Sequence, residues 1–149
     1  ANEAAAHMIA RSCEIKADVV SQDEKELGLR AILNFGHTAA HAIEKNTGYT
    51  KYNHGEAVAI GMVCAAYISK ALGMIDQSVV DRVISLILKL HLPIKAQGCT
   101  VEDLYRDIFH DKKTVGGKVK WILMDSIGQV CGNSNVPEEI VKGAMQKIV

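Results

Sequence analysis

Two histidines four residues apart, His37 and His41 in LNFGHTAAH, and a third, His54 in YNHGEAVAIGM, are the side chains whose type and spacing best suit chemistry. On an α-helix, residues at i and i+4 lie one turn apart on the same face, so His37 and His41 can point into one cleft. Neutral imidazole is a good zinc ligand, and a catalytic zinc takes three protein ligands while keeping one position open. His54, opening the next helix, can supply a further nitrogen. Spacing alone leaves His37, His41 and His54 equal candidates. The metalloprotease pattern H-E-x-x-H is excluded, because Thr38 stands where its glutamate must be.

Paired histidines also serve packing, so their surroundings have to decide. Arg30, Asn34 and Glu56 lie within the same short region. Each has a plain explanation: Arg30 as a solvated charge, Asn34 as a helix cap, Glu56 as a first-turn acid favoured by the helix dipole. Together with three imidazoles they form an assortment of anion-binding, hydrogen-bonding and titratable groups that a structural core seldom collects.

The elements that must position these residues read as helices. Ile9, Cys13, Ala17 and Val20 recur at helical spacing and predict a first helix from Asn2 to about Gln22 with that stripe facing a core. A second helix is expected from near Asn34 to Asn46, stopped by Gly48 in the left-handed conformation. A third, His54 to about Leu72, carries few charges before Lys70 and should be enclosed on most sides; Gly73 closes it. Asp76 or Ser78 can cap a fourth helix reaching Leu90, with Pro93 in the turn beyond. TVED at Thr100 resembles a capping box, with Asp103 in the acidic position, and opens a fifth helix to about His110. VGGKVKWILMDSIGQVCG predicts a hairpin carrying Trp121, and a last helix starts near Pro137. The fold class expected is mainly α, a multi-helix domain with a short β-hairpin.

The whole chain bounds the function. Its 149 residues fit one domain, and 17 basic against 17 acidic side chains leave no concentrated basic patch for nucleic acid. No run approaches the roughly 20 apolar residues that span a bilayer, and the N-terminus lacks the plan of a signal peptide, so a cytoplasmic protein is expected. Cys13, Cys64, Cys99 and Cys131 are scattered without a C-x-x-C pair and read as buried free thiols.

Three stretches, KADVVSQDEKELGLRAILNFGHTAAHAIE, GYTKYNHGEAVAIGM and DKKTVGGKVKWILMDSIG, closely resemble, in the same order, the 3-dehydroquinate synthase family of the shikimate pathway. The resemblance covers essentially the whole chain. It implies the family's C-terminal helical domain, which follows a Rossmann-like domain that binds NAD. No G-x-G-x-x-G fingerprint occurs here, so the NAD-binding domain, and a zinc-binding glutamate at the start of the helical domain, are expected to precede Ala1. The 149 residues alone are then expected to be inactive and to bind metal weakly.

Carried over position by position, the resemblance implies that His37 and His54 bind the metal, Zn2+ or Co2+, while His41 faces a sugar-phosphate substrate. Lys16 and Arg30 resemble residues that bind the substrate's carboxylate end. Asn34 resembles a phosphate contact, and DKK carries a lysine of the same role, Lys112 or Lys113. Glu26 resembles an acid reaching a substrate hydroxyl; His41, Glu26 and Lys16 are the catalytic candidates. Where the family commonly has a bulkier residue and a glycine between the histidines, Ala39 and Ala40 stand here. The intact enzyme is expected to be a homodimer. Three alternatives compete: another NAD- and zinc-dependent sugar-phosphate cyclase, a metal-dependent polyol dehydrogenase, which needs no phosphate site, and a non-catalytic helical module that binds a partner through an exposed apolar face.

Overall fold

The structure, a computed structural model, describes residues 2–25, 28–110 and 116–149. Glu26, Lys112 and Lys113 fall outside these residues. The elements run α1 (Glu3–Gln22), a 3-10 helix (Leu29–Asn34), α2 (His37–Asn46), α3 (His54–Ala71), α4 (Gln77–Lys89), α5 (Val101–Ile108), β1 (Trp121–Ser126), β2 (Gln129–Asn133) and α6 (Glu138–Gln146). The mainly helical class with one hairpin is as the sequence predicted. Contacts divide the chain into two units, residues 1–34 and 35–149.

In the first unit, Asn2 caps α1 by accepting a hydrogen bond from the Ala4 amide at 3.1 Å. The stripe expected to face a core does not do so: Ile9 is 67% exposed, Cys13 and Ala17 are exposed, and Val19 is the buried residue of the helix. The physical reason is that α1 has the short 3-10 helix as its neighbour, too small to cover a twenty-residue face. That 3-10 helix also corrects the expected start of the second helix at Asn34. The Asp23 carboxylate accepts from the amides of Gly28 and Arg30, at 2.8 and 3.0 Å, at the start of that 3-10 helix.

The second unit is built around α3. Its capping box is complete: the Glu56 amide donates to the Asn53 side chain and the Asn53 amide donates to the Glu56 carboxylate, both at 2.9 Å. Ile60, Val63, Cys64 and Ile68 are fully enclosed, as the low charge of this segment predicted. Around them pack Ala39, Ala40 and Ile43 of α2, Leu104 and Ile108 of α5, Trp121 and Leu123 of β1, and Val141 and Met145 of α6. Of the two candidates for the α4 cap, Asp76 and not Ser78 holds it, and Thr100 caps α5 as expected. The Thr100 cap is one-sided, however, because Asp103 pairs with Arg106 at 2.9 Å.

The hairpin is antiparallel, with Trp121 opposite Asn133 and Leu123 opposite Cys131, and an irregularity between Met124 and Ser126. Buried Ser69 of α3 ties it down, donating to the Ala65 carbonyl at 3.0 Å and accepting from the Met124 amide at 2.9 Å. Of the four cysteines, all free, Cys64 is buried, Cys99 and Cys131 are half-buried, and Cys13 is exposed, which corrects the expectation that all are enclosed.

Candidate functional site

Gly36 sets the direction from which α2 begins. Its φ of +83° suits glycine alone among common residues, and its carbonyl accepts from the Ala40 amide at 3.1 Å. His37 is therefore the first residue of α2, and His41 stands one turn further on. The Thr38 hydroxyl donates to the Lys120 carbonyl at 2.9 Å, fastening this first turn to the chain just ahead of β1. Beyond α2, Gly48 at φ +63° turns the chain as its position predicted, and the Asn53–Glu56 box fixes the start of α3 one residue from His54.

The three imidazoles come together. Ring centres are 5.1 Å apart for His37 and His54, 5.8 Å for His37 and His41, and 6.2 Å for His41 and His54. Two imidazoles on one tetrahedral zinc, with each nitrogen about 2.0–2.1 Å from the ion, have ring centres roughly 5 Å apart. The His37–His54 pair meets that spacing and the two pairs with His41 are wider. Among the described residues no three His, Cys, Asp or Glu side chains form a ready-made cage.

Nδ1 of His54 lies 2.8 Å from Oε1 of Glu44, and Nδ1 of His37 lies 3.3 Å from the Phe35 carbonyl. A carbonyl or carboxylate oxygen accepts, so each Nδ1 is placed to donate to it. Metal-binding histidines are commonly held in this way, by a carboxylate or carbonyl on the nitrogen facing away from the ion.

Glu44 was not singled out from the sequence. A signal was there: His37, His41 and Glu44 follow one another at spacings of four and three, which puts them on one helical face. Glu56, grouped with the titratable residues on sequence grounds, is engaged in capping α3. Of the remaining candidates, Lys16 on α1 is exposed, Arg30 is half-buried with its guanidinium donating to the Glu24 carbonyl at 2.9 Å, and Asn34 ends the 3-10 helix. All three belong to the first unit, whereas the histidines belong to the second.

A family model described as 3-dehydroquinate synthase C-terminal matches residues 1–114. The 3-dehydroquinate synthase of Synechocystis sp. is 52% identical over 139 residues, 93% of this chain and 38% of that protein. Those of Sulfurovum sp. and Shewanella sp. are 46% and 45% identical, over 93% and 94% of this chain and 40% and 39% of theirs. The chain spans about two fifths of the length of these relatives. Among solved structures, a 2-epi-5-epi-valiolone synthase from Streptomyces hygroscopicus with NAD+ and Zn2+ bound shares the fold at a TM-score of 0.86, covering 99% of this chain and 41% of that one at 22% identity. A 2-deoxy-scyllo-inosose synthase complexed with carbaglucose-6-phosphate, NAD+ and Co2+ matches at a TM-score of 0.75 and 24% identity, covering 90% and 39%.

Proposed function

Because the chain belongs to the 3-dehydroquinate synthase family by its C-terminal domain, we propose that it is the metal- and substrate-binding part of an enzyme that converts 3-deoxy-D-arabino-heptulosonate 7-phosphate to 3-dehydroquinate and phosphate. The observation that carries this reading is the pair His37 and His54, with ring centres 5.1 Å apart and both Nδ1 atoms turned onto oxygen acceptors. On this reading NAD+ is bound by a separate portion of the enzyme, the enzyme is a cytoplasmic homodimer, and the pathway is aromatic amino acid biosynthesis. The described residues contain no helix long and apolar enough to cross a membrane.

His37 and His54 would hold the cation through Nε2, with a third ligand from the rest of the enzyme. A bound Zn2+ or Co2+ would acidify the substrate hydroxyls it touches and favour the hydride exchange with NAD+. The chain's own side chains do the remaining work. His41, on the same face of α2, takes up and returns a proton at an imidazole nitrogen facing the substrate. Lys16 and Arg30 hold the carboxylate end, for which a guanidinium fork is well shaped. Asn34 and a lysine of DKK, Lys112 or Lys113, bind the phosphate that leaves, and the Glu26 carboxylate accepts from a ring hydroxyl.

The other cyclases with this fold are the second reading. Their identities of 22% and 24%, against 45% to 52% for the synthases, support 3-dehydroquinate as the product. Phosphate release tests this directly. The enzyme at its relatives' length, given NAD+, Zn2+ and the heptulosonate phosphate, should release phosphate and form dehydroquinate. His54→Ala should abolish both and lower zinc content. A full-length enzyme that turns over only other sugar phosphates contradicts the substrate, and unchanged zinc in His54→Ala contradicts the ligand.

A further inference from the structure

Glu44 sits on α2 one turn beyond His41, and its side chain is only 15% exposed. Removing a carboxylate from water is costly unless its oxygens find donors. Here one oxygen meets Nδ1 of His54 at 2.8 Å, although the His54 ring itself is 57% exposed. The half-hidden carboxylate is thus fixed by the helix while the imidazole would otherwise swing. The Asn53–Glu56 box anchors the His54 backbone, but nothing in that box sets the angle of the ring. Lys45, the neighbouring cation on α2, turns to Asp107 at 3.5 Å instead of to Glu44.

We propose that Glu44 is a positioning residue for the cation site. Its carboxylate accepts the Nδ1–H of His54, which selects the tautomer with the lone pair on Nε2 and holds the ring with its centre 5.1 Å from that of His37. This inference rests on the reading of His37 and His54 as ligands. It assigns Glu44 no direct bond to the ion. A ligand held this way binds more tightly because its orientation is set before the metal arrives, and loss of such a partner typically weakens metal affinity roughly 10–100-fold.

The test is Zn2+ affinity, measured by competition with a chromophoric chelator, in the full-length enzyme and its Glu44→Ala, Glu44→Leu, Glu44→Gln and His54→Ala variants. Glu44→Ala and Glu44→Leu should each bind Zn2+ about 10–100-fold more weakly. Glu44→Gln, whose amide oxygen still accepts the Nδ1–H, should recover most of the affinity, which a space-filling role would grant to leucine as well. Metal-free thermal midpoints of the Gln and Leu variants should agree. Wild-type affinity in both Ala and Leu variants overturns the inference while leaving the ligands standing. A loss in Glu44→Ala as complete as in His54→Ala makes Glu44 a direct ligand and overturns it too. If the wild-type enzyme binds no zinc, the ligand reading falls and this inference with it.

Discussion

Gly61 of α3 lies directly against Gly36, the residue that launches α2. A Cβ built on Gly61 would overlap the Gly36 carbonyl oxygen and stand 2.9 Å from the Gly36 carbonyl carbon and 3.2 Å from the Ala40 amide nitrogen. The neighbours in the way are backbone, which cannot rotate aside as a long side chain can. Ala39 and Ala40, both buried, keep this crossing thin from the other side. The close approach of the two helices brings the histidine-bearing start of α2 toward the start of α3.

Gly61→Ala should therefore destabilise the fold by about 1–3 kcal/mol or more, the usual cost of overpacking. Denaturant unfolding of the variant and the parent measures it. An unchanged midpoint would mean that the two backbones are not in contact. Gly36→Ala should also be destabilising, since the new side chain must adopt φ +83° with the Val58 carbonyl 2.8 Å from its Cβ.

Thr38 ties the first turn of α2 to the Lys120 carbonyl. Replacing it with valine keeps the branched shape and removes the donor, so stability should fall by about 0.5–1.5 kcal/mol, the net value of an ordinary hydrogen bond. Because the bond lies beside His37, zinc affinity should weaken with it. Chemical denaturation and zinc competition on the same variant check both, and no change in either would leave the bond without a role.

The thiols should separate by burial. Desolvation pushes the Cys64 thiol up to about 12 and also raises Cys99 and Cys131, whereas Cys13 lies exposed on α1. The thiolate is the reactive form, so at neutral pH a maleimide should label Cys13 in the native protein and reach Cys64 only after unfolding. Mass spectrometry of the modified peptides reads the order. Native labelling of Cys64 at the rate of Cys13 would contradict the packing of α3.

Asp76 should contribute acid sensitivity. Its carboxylate accepts from the Ser78 hydroxyl and the Val79 amide, and these bonds hold it below the ordinary carboxylate range. A depressed folded-state pKa gives stability that is present above the unfolded value of about 3.9 and is lost as pH falls through the folded value. Asp76→Asn keeps the cap but cannot titrate. Below about pH 4 the gap in denaturant midpoint between parent and variant should close or reverse; a gap constant across that range would contradict the linkage.

Legibility from sequence followed the range of the interactions involved. The caps at Asp76 and Thr100, the turns at Gly48 and Gly73 and the hairpin around Trp121 depend on neighbours in the chain, and each was predicted. The stripe on α1 was misplaced because periodicity shows that a helix has an apolar face and cannot show what covers it. The 3-10 turn at Leu29–Asn34 depends on Asp23 reaching five and seven residues ahead, which no local pattern encodes. For the site, spacing left three histidines equal. Their separation into a close pair and a third ring depends on the crossing of α2 and α3, and the role of Glu44 on a contact across the loop to His54.

The central claim is that Nε2 of His37 and Nε2 of His54 share one divalent cation. Anomalous diffraction at the zinc edge from crystals of the full-length enzyme tests it most directly. The expected result is a single peak about 2.0–2.1 Å from both nitrogens, with His41 turned from the ion toward the substrate side. A peak held by His41 in place of either ring, or no peak at the pair in saturating zinc, would contradict the account.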